Sequence, residues 1–236
     1  MAYIEVVLNQ KGGVGKSTVT VNLAATTADA LTGSDPEAFS PVAAVSIDPQ
    51  GSALWWADRV KSLPFHIVQA HDNVDGLRGL KEGSRIRHVY VDTPGWIGQE
   101  DEDDKGDGLG NGSSADALRA VLDLADHVLV PVEPEPLGFD PTARTIEKVI
   151  KPRGLDFTVV INNWDPRDGD ADLKQTQNFI NRAGWPLANT VIRHYKVHTR
   201  AAADGLVVTE YPRNRVSMLA QADFSKLALE LKAGAR

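Results

Sequence analysis

The 236 residues are 42% hydrophobic and 24% charged, the balance of a folded globular chain with enough length for one large α/β domain. The absence of cysteine excludes disulfide frameworks, thiolate metal sites, iron–sulfur clusters and cysteine nucleophiles; no apolar run nears the ~18 residues of a membrane span, and Glu5 and Asn9 break up the N-terminus, so neither a spanning helix nor a secretion signal is expected and the cytoplasm is the default. The net charge of −7 is unevenly spread and does not by itself exclude a nucleic-acid partner.

A first strand is expected over Tyr3 to Leu8, followed by a glycine-rich turn and a helix from about Ser17 to Ala30. The turn, Lys11-Gly12-Gly13-Val14-Gly15-Lys16-Ser17-Thr18, is the strongest signal in the chain. Its glycines let successive backbone N–H groups point at phosphate oxygens, and the helix N-terminus adds partial positive charge. Lys16 is placed to reach the β- and γ-phosphates, and the Ser17 hydroxyl to ligate Mg²⁺. The position six residues before Lys16, glycine in the ordinary phosphate loop, is Gln10, and a second lysine follows it. Lys11 leaves the strand before the loop closes and need not point into its own site.

A strand over Val42 to Ile47 ends in Asp48-Pro49-Gln50-Gly51, and a short helix is expected over Ser52 to Val60. That helix carries Trp55-Trp56, either core residues or a dimer or partner contact. A short strand over Phe65 to Gln69, a short helix over Val74 to Leu80 and a buried-type strand over His88 to Val91 follow, the last ending in Asp92-Thr93-Pro94-Gly95. Gly98 to Ser114 reads as a flexible acidic insertion, with six acidic residues and one basic between Glu100 and Asp107, a net of −5. Ser113 with Asp116 resembles a capped helix start, with the helix running to Ala125.

The second half continues as strand His127 to Val132, helix Pro141 to Ile150, strand Phe157 to Ile161, helix Ala171 to Arg182, strand Thr190 to Arg193, helix Thr199 to Ala203 and helix Val216 to Lys232. The alternation predicts an α/β fold, a doubly wound and mostly parallel sheet with helices on both faces, whose ligands sit at the carboxyl ends of the strands. Arg182 to Arg215 holds six basic residues against two acidic, a net of +4. Within it Arg193, Lys196 and Arg200 could share one face, joined by Arg213 and Arg215; the plain alternative is a solvated surface.

The phosphate loop, with Asp48 and Asp92 each ending a strand, resembles the ParA/MinD family of deviant phosphate-loop ATPases, most closely the small ParA-type partition proteins. The likeness runs from about residue 3 to residue 231 and includes Asp126 to Pro134, Asn162 to Pro166 and Glu210 to Pro212. The resemblance implies one ATPase domain over 1–236 that binds ATP and Mg²⁺. Residues 12–18 (Gly12, Gly13, Val14, Gly15, Lys16, Ser17 and Thr18) would cradle the nucleotide; Ser17 and, through a water, Asp92 would hold the metal; Asp48 would orient the attacking water; Lys11 would reach the phosphates of a partner subunit. Asn163 or its neighbour, with Pro212, would meet adenine.

It further implies an ATP-sandwiched homodimer with weak intrinsic hydrolysis stimulated by a ParB-type centromere-binding protein, and nonspecific duplex DNA binding through the basic residues on the nucleoid. Plasmid or chromosome is then the cargo. Two alternatives differ in kind. A MinD-like membrane ATPase would need the stripe Phe224, Leu227, Ala228 and Leu231 to enter lipid, where core packing is the plainer use. A metabolic ATP-dependent enzyme of the same fold would need a second substrate pocket.

Overall fold

The computed structural model describes residues 1–33, 39–51, 53, 56, 58–59, 63–82, 85–96 and 106–234. The seven strands are β1 (Tyr3–Val7), β2 (Val42–Ser46), β3 (His66–Gln69), β4 (His88–Asp92), β5 (His127–Val132), β6 (Phe157–Trp164) and β7 (Leu187–Arg193). They form one sheet in the order β3-β2-β4-β1-β5-β6-β7. Every pairing is parallel, so the mostly parallel sheet expected is wholly so. The central strands are buried on both faces, which is why they read as continuous apolar runs without alternation.

Helices α1 (Lys16–Thr32), α2 (Val74–Arg78), α3 (Ser113–Leu122), α4 (Phe139–Arg144), α5 (Ala171–Arg182), α6 (Lys196–Ala203) and α7 (Arg215–Gly234) fill the crossovers and the C-terminus. One core layer joins Ile4, Val6, Val91 and Val130 of the sheet to Leu118 and Ile146. The other joins Val7, Ala44, Leu129 and Val160 to Leu23 of α1 and Phe224 of α7. Phe224 and Leu227 are fully buried there, with Ala228 and Leu231 packed against them, so the apolar stripe of α7 is spent on the core. No helix among the described residues is long and apolar enough to cross a membrane.

Several boundaries differ from the sequence reading. Ser113 is the first helical residue of α3, not its cap; Gly112 occupies that position and offers no side-chain bond. The helix expected over Pro141 to Ile150 starts earlier, as α4, and turns π-helical over Thr145–Ile150. Strand β6 runs on to Trp164, and β7 begins at Leu187. Trp56 is 4% exposed and its indole donates to the Leu206 carbonyl at 2.9 Å, a packing role; Trp55 and most of the 52–60 helix lie outside the described residues.

Of the expected acidic insertion, 98–105 also lie outside the described residues. Residues 106–114 are held. Asp107 receives hydrogen bonds from Arg119 Nε at 2.8 Å and Arg153 Nη2 at 2.6 Å, and Leu109 is buried. The Trp96 indole donates to the Gly108 carbonyl at 3.0 Å, tying the chain before the insertion to a residue within it.

Candidate functional site

The carboxyl ends of β1, β2 and β4 open into one cavity of about 720 Å³. Its floor is the phosphate loop: Gly12, Gly13, Gly15, Lys16, Ser17 and Thr18 all line it. Asp48, Pro49 and Gln50 follow β2 into the same space, and Thr93 to Trp96 follow β4. The sequence thus separates by 30 to 84 positions residues that the parallel crossovers set side by side.

Gly13 and Gly15 both have positive φ, 84° and 83°, conformations that L side chains resist. At Gly15 a Cβ would also collide with the Asn162 side-chain amide. That amide donates to the Val14 carbonyl at 2.8 Å, so the end of β6 props the loop from beneath. On the other flank Asn9, fully buried, donates to the Pro131 carbonyl and to Thr142 Oγ1, and accepts from the Lys11 N–H. The Gln10 N–H donates to Thr145 Oγ1 at 2.9 Å, where the π-helical stretch begins. The sequence reading gave none of Asn9, Thr142, Thr145 and Asn162 a part in supporting the loop. Only Asn162 carried a signal, as the neighbour of Asn163.

The two lysines go to different places. Lys16 is 7% exposed inside the cavity, where its ammonium donates to the Lys11 carbonyl at 3.0 Å. Burial pushes its pKa down against the pull of Asp92 and Asp48, which leaves a strong donor without a full counter-ion. Lys11 does not line the cavity, though Gln10 and Gly12 on either side do. Its ammonium lies 3.5 Å from Glu135 and 3.9 Å from Glu133, beyond the end of β5.

Asp92 is fully buried at the end of β4. Burial raises its pKa to about 7 and the Asp48 carboxylate adds to this, against hydrogen bonds from Ser17 and Ser46 and the charge of Lys16. Its Oδ1 has no hydrogen-bond partner among the described residues. A buried orphan oxygen beside the Ser17 hydroxyl fits a Mg²⁺ held by one hydroxyl, phosphate oxygens and waters. No group of three or more acidic or imidazole ligands exists among the described residues, and a phosphate-borne Mg²⁺ requires none.

Asp48 both caps and faces the cavity. Its Oδ1 accepts from the Gln50 N–H at 2.9 Å, fixing the turn, while its carbonyl accepts from Gln69 Nε2 at 2.7 Å. Gly95 lies so close to the loop that a Cβ would meet the Gln10 carbonyl and the Gly12 backbone at 3.1 Å. The end of β4 is therefore packed directly against the phosphate loop, with room for no side chain between them. Leu109, Gly110, Asn111 and Ser114 complete the far wall, residues the sequence reading left inside the insertion.

Asn163 and Pro212 stand apart from this cavity, both exposed. Asn163 has a φ of 63°, and its amide donates to Glu133 at 2.8 Å. Of the basic residues, Lys196, Arg200, Arg213 and Arg215 are exposed, the first two one turn apart on α6. Arg193 is engaged otherwise: its guanidinium clamps the buried Asp223 carboxylate at 2.6 and 2.9 Å.

The CbiA family model, described as the CobQ/CobB/MinD/ParA nucleotide binding domain, matches residues 6–208. The chain is 35% identical over 227 residues to a protein of Gloeobacter kilaueensis named maintenance of carboxysome distribution protein A, covering 95% of this chain and 92% of that one. Among solved structures, the MinD cell division protein of Aquifex aeolicus superposes with a TM-score of 0.68 at 15% identity, covering 98% of this chain and 98% of that one. An ATP complex of Cyanothece McdA superposes with a TM-score of 0.65 at 15% identity, covering 97% of this chain and 96% of that one. With the family model spanning most of the chain and the phosphate loop at the head of its site, this protein belongs to the CobQ/CobB/MinD/ParA nucleotide-binding family.

Proposed function

We propose that the chain is a ParA-type positioning ATPase, one ATPase domain over 1–236 with an acidic insertion, in which ATP acts as a dimerisation switch. The observation that carries this reading is the divergence of the two lysines: Lys16 fills the chain's own cavity, while Lys11 projects outside it beside Glu133 and Glu135. A lysine held outside one cavity is available to a second copy.

In this reading the loop amides and the Lys16 ammonium bind the β- and γ-phosphates, and Lys11 completes the partner's site. Ser17 and Asp92 hold Mg²⁺, which when bound neutralises charge on the phosphates. Asp48, with one oxygen committed to its turn, orients the attacking water with the other. Asn163 and Pro212 flank the base. Hydrolysis removes the γ-phosphate that bridges the copies, and a ParB-like partner protein accelerates it.

The output is nonspecific duplex DNA bound by the dimer through Lys196, Arg200, Arg213 and Arg215, with Arg193 supporting the surface. For the cargo, the full-length likeness to a protein named for carboxysome distribution favours an intracellular protein body over a plasmid or chromosome. The test is an electrophoretic shift of random-sequence duplex with ATP, ADP or no nucleotide at two salt concentrations. A shift confined to ATP and weakened by salt is expected; equal retention in all three states refutes the switch. Imaging of cells lacking the protein separates the cargoes, since a clumped protein body and a lost replicon are distinct outcomes.

A further inference from the structure

The sheet breaks its own apolar rule at the end remote from the phosphate loop. Beneath α1 and α7, where both faces are covered, the expected residues are aliphatic. The register instead sets Tyr3 beside His88 and Glu5 between Tyr90 and His127. Tyr3, Glu5, His88 and Tyr90 form the floor of a separate cavity of about 340 Å³, at the small end of the ~300–1,000 Å³ of ligand pockets. Its walls are mainly apolar, with Ala30 and Leu31 from α1 and Ala228 and Leu231 from α7, while Thr26, Thr27 and Ser225 add hydroxyls. Asp29 and Lys232 also line it, with opposite charges.

Glu5 is 3% exposed. Its Oε1 is bonded to His127 Nδ1 at 2.7 Å, and that ring reaches Thr158 Oγ1 through Nε2 at 3.1 Å. The second carboxylate oxygen has no hydrogen-bond partner among the described residues, although the side chain lines the cavity. The Tyr90 hydroxyl is already paired with Thr27 at 2.7 Å. Burial, with Lys232 and Arg87 nearby, lowers the His88 pKa, so its ring adds no competing charge at neutral pH. An acceptor-only oxygen at the base of an apolar slot flanked by two phenol rings calls for a cationic donor: the carboxylate takes the N–H bonds, the ring faces take the charge, and the aliphatic walls take a carbon body.

We propose that this cavity is a binding site for a small organic ammonium ion, its amine on the free oxygen of Glu5 and its short apolar or aryl body between α1 and α7. The site is separate from the nucleotide cavity and independent of the reading given above for it. Phenethylamine is the probe, titrated calorimetrically into the full chain beside phenethyl alcohol and hydrocinnamate, which keep the ring and replace the ammonium by a hydroxyl or a carboxylate. Saturable binding of the amine is expected, at least tenfold tighter than either analogue. Glu5→Gln, which retains a bond to His127, is expected to weaken the amine at least tenfold, and Ala228→Trp to abolish it by filling the slot while leaving Glu5 untouched. Should Glu5→Gln fail to fold, Ala228→Trp alone decides. No binding of the amine, equal binding of hydrocinnamate, or full binding by a folded form of either variant overturns the proposal.

Discussion

Gly15 leaves room for the Asn162 amide that supports the phosphate loop, and each residue is testable by one substitution. Gly15→Ala combines a positive φ with a collision and is expected to cost about 1–3 kcal/mol in denaturant unfolding. Asn162→Ala leaves the Val14 carbonyl without its donor, with an expected cost of about 1–3 kcal/mol and weaker nucleotide binding in the same preparation. The lysines separate by assay. Lys16→Ala is expected to lose nucleotide binding by at least about a hundredfold in a fluorescent-ATP titration. Lys11→Ala is expected to bind ATP within a few-fold of the parent and to stay monomeric in light scattering. Asp92 supplies a pH dependence. Burial pushes its carboxyl up to about 7, well above the ordinary carboxylate range, so the native state holds the proton more tightly than the unfolded chain. Its contribution is most favourable below the unfolded value and is lost as pH rises through 7. Without Mg²⁺ and nucleotide, Asp92→Asn is expected to raise Tm by a few degrees at pH 8 and to leave it nearly unchanged at pH 4; a Tm unchanged at pH 8 contradicts this.

At the scale of elements, what was legible is what is contiguous. The phosphate loop could be read from eight adjacent residues, and the strands from apolar runs buried on both faces. The loop's supports could not, because Asn9 meets Thr142 and Asn162 meets Val14 only after intervening crossovers fold. Thr142 and Thr145 looked like ordinary polar positions on a helix; their hydroxyls serve the loop, and the helix turns π-helical at Thr145. The basic segment shows the converse. Its charges were legible, but charge counting could not distinguish Arg193, committed to Asp223 on α7, from Lys196 and Arg200 on the open face of α6. Asp223→Ala is therefore expected to destabilise the fold by about 1.5–3 kcal/mol. Lys196→Ala with Arg200→Ala is expected to leave Tm within a degree or two. The pair is expected to lower the log–log salt slope of DNA binding by about 0.9 for each phosphate contact removed.

Across the whole molecule, the two ends of the sheet have divided labour. The carboxyl ends hold phosphate chemistry, and the amino ends hold the Glu5–His127–Thr158 chain. Burial opposes protonation of His127, but the Glu5 carboxylate prevails and raises its pKa. That pairing stabilises the fold fully below the unfolded histidine value and is lost as pH rises past the raised one. At the rim of the nucleotide cavity, Trp96 fastens to Gly108, and Asp107 is gripped by two arginines. The clasp pins Asp107 and Gly108 at the rim, so Leu109, Gly110 and Asn111, which follow them directly in the chain, enter the cavity wall from an anchored point.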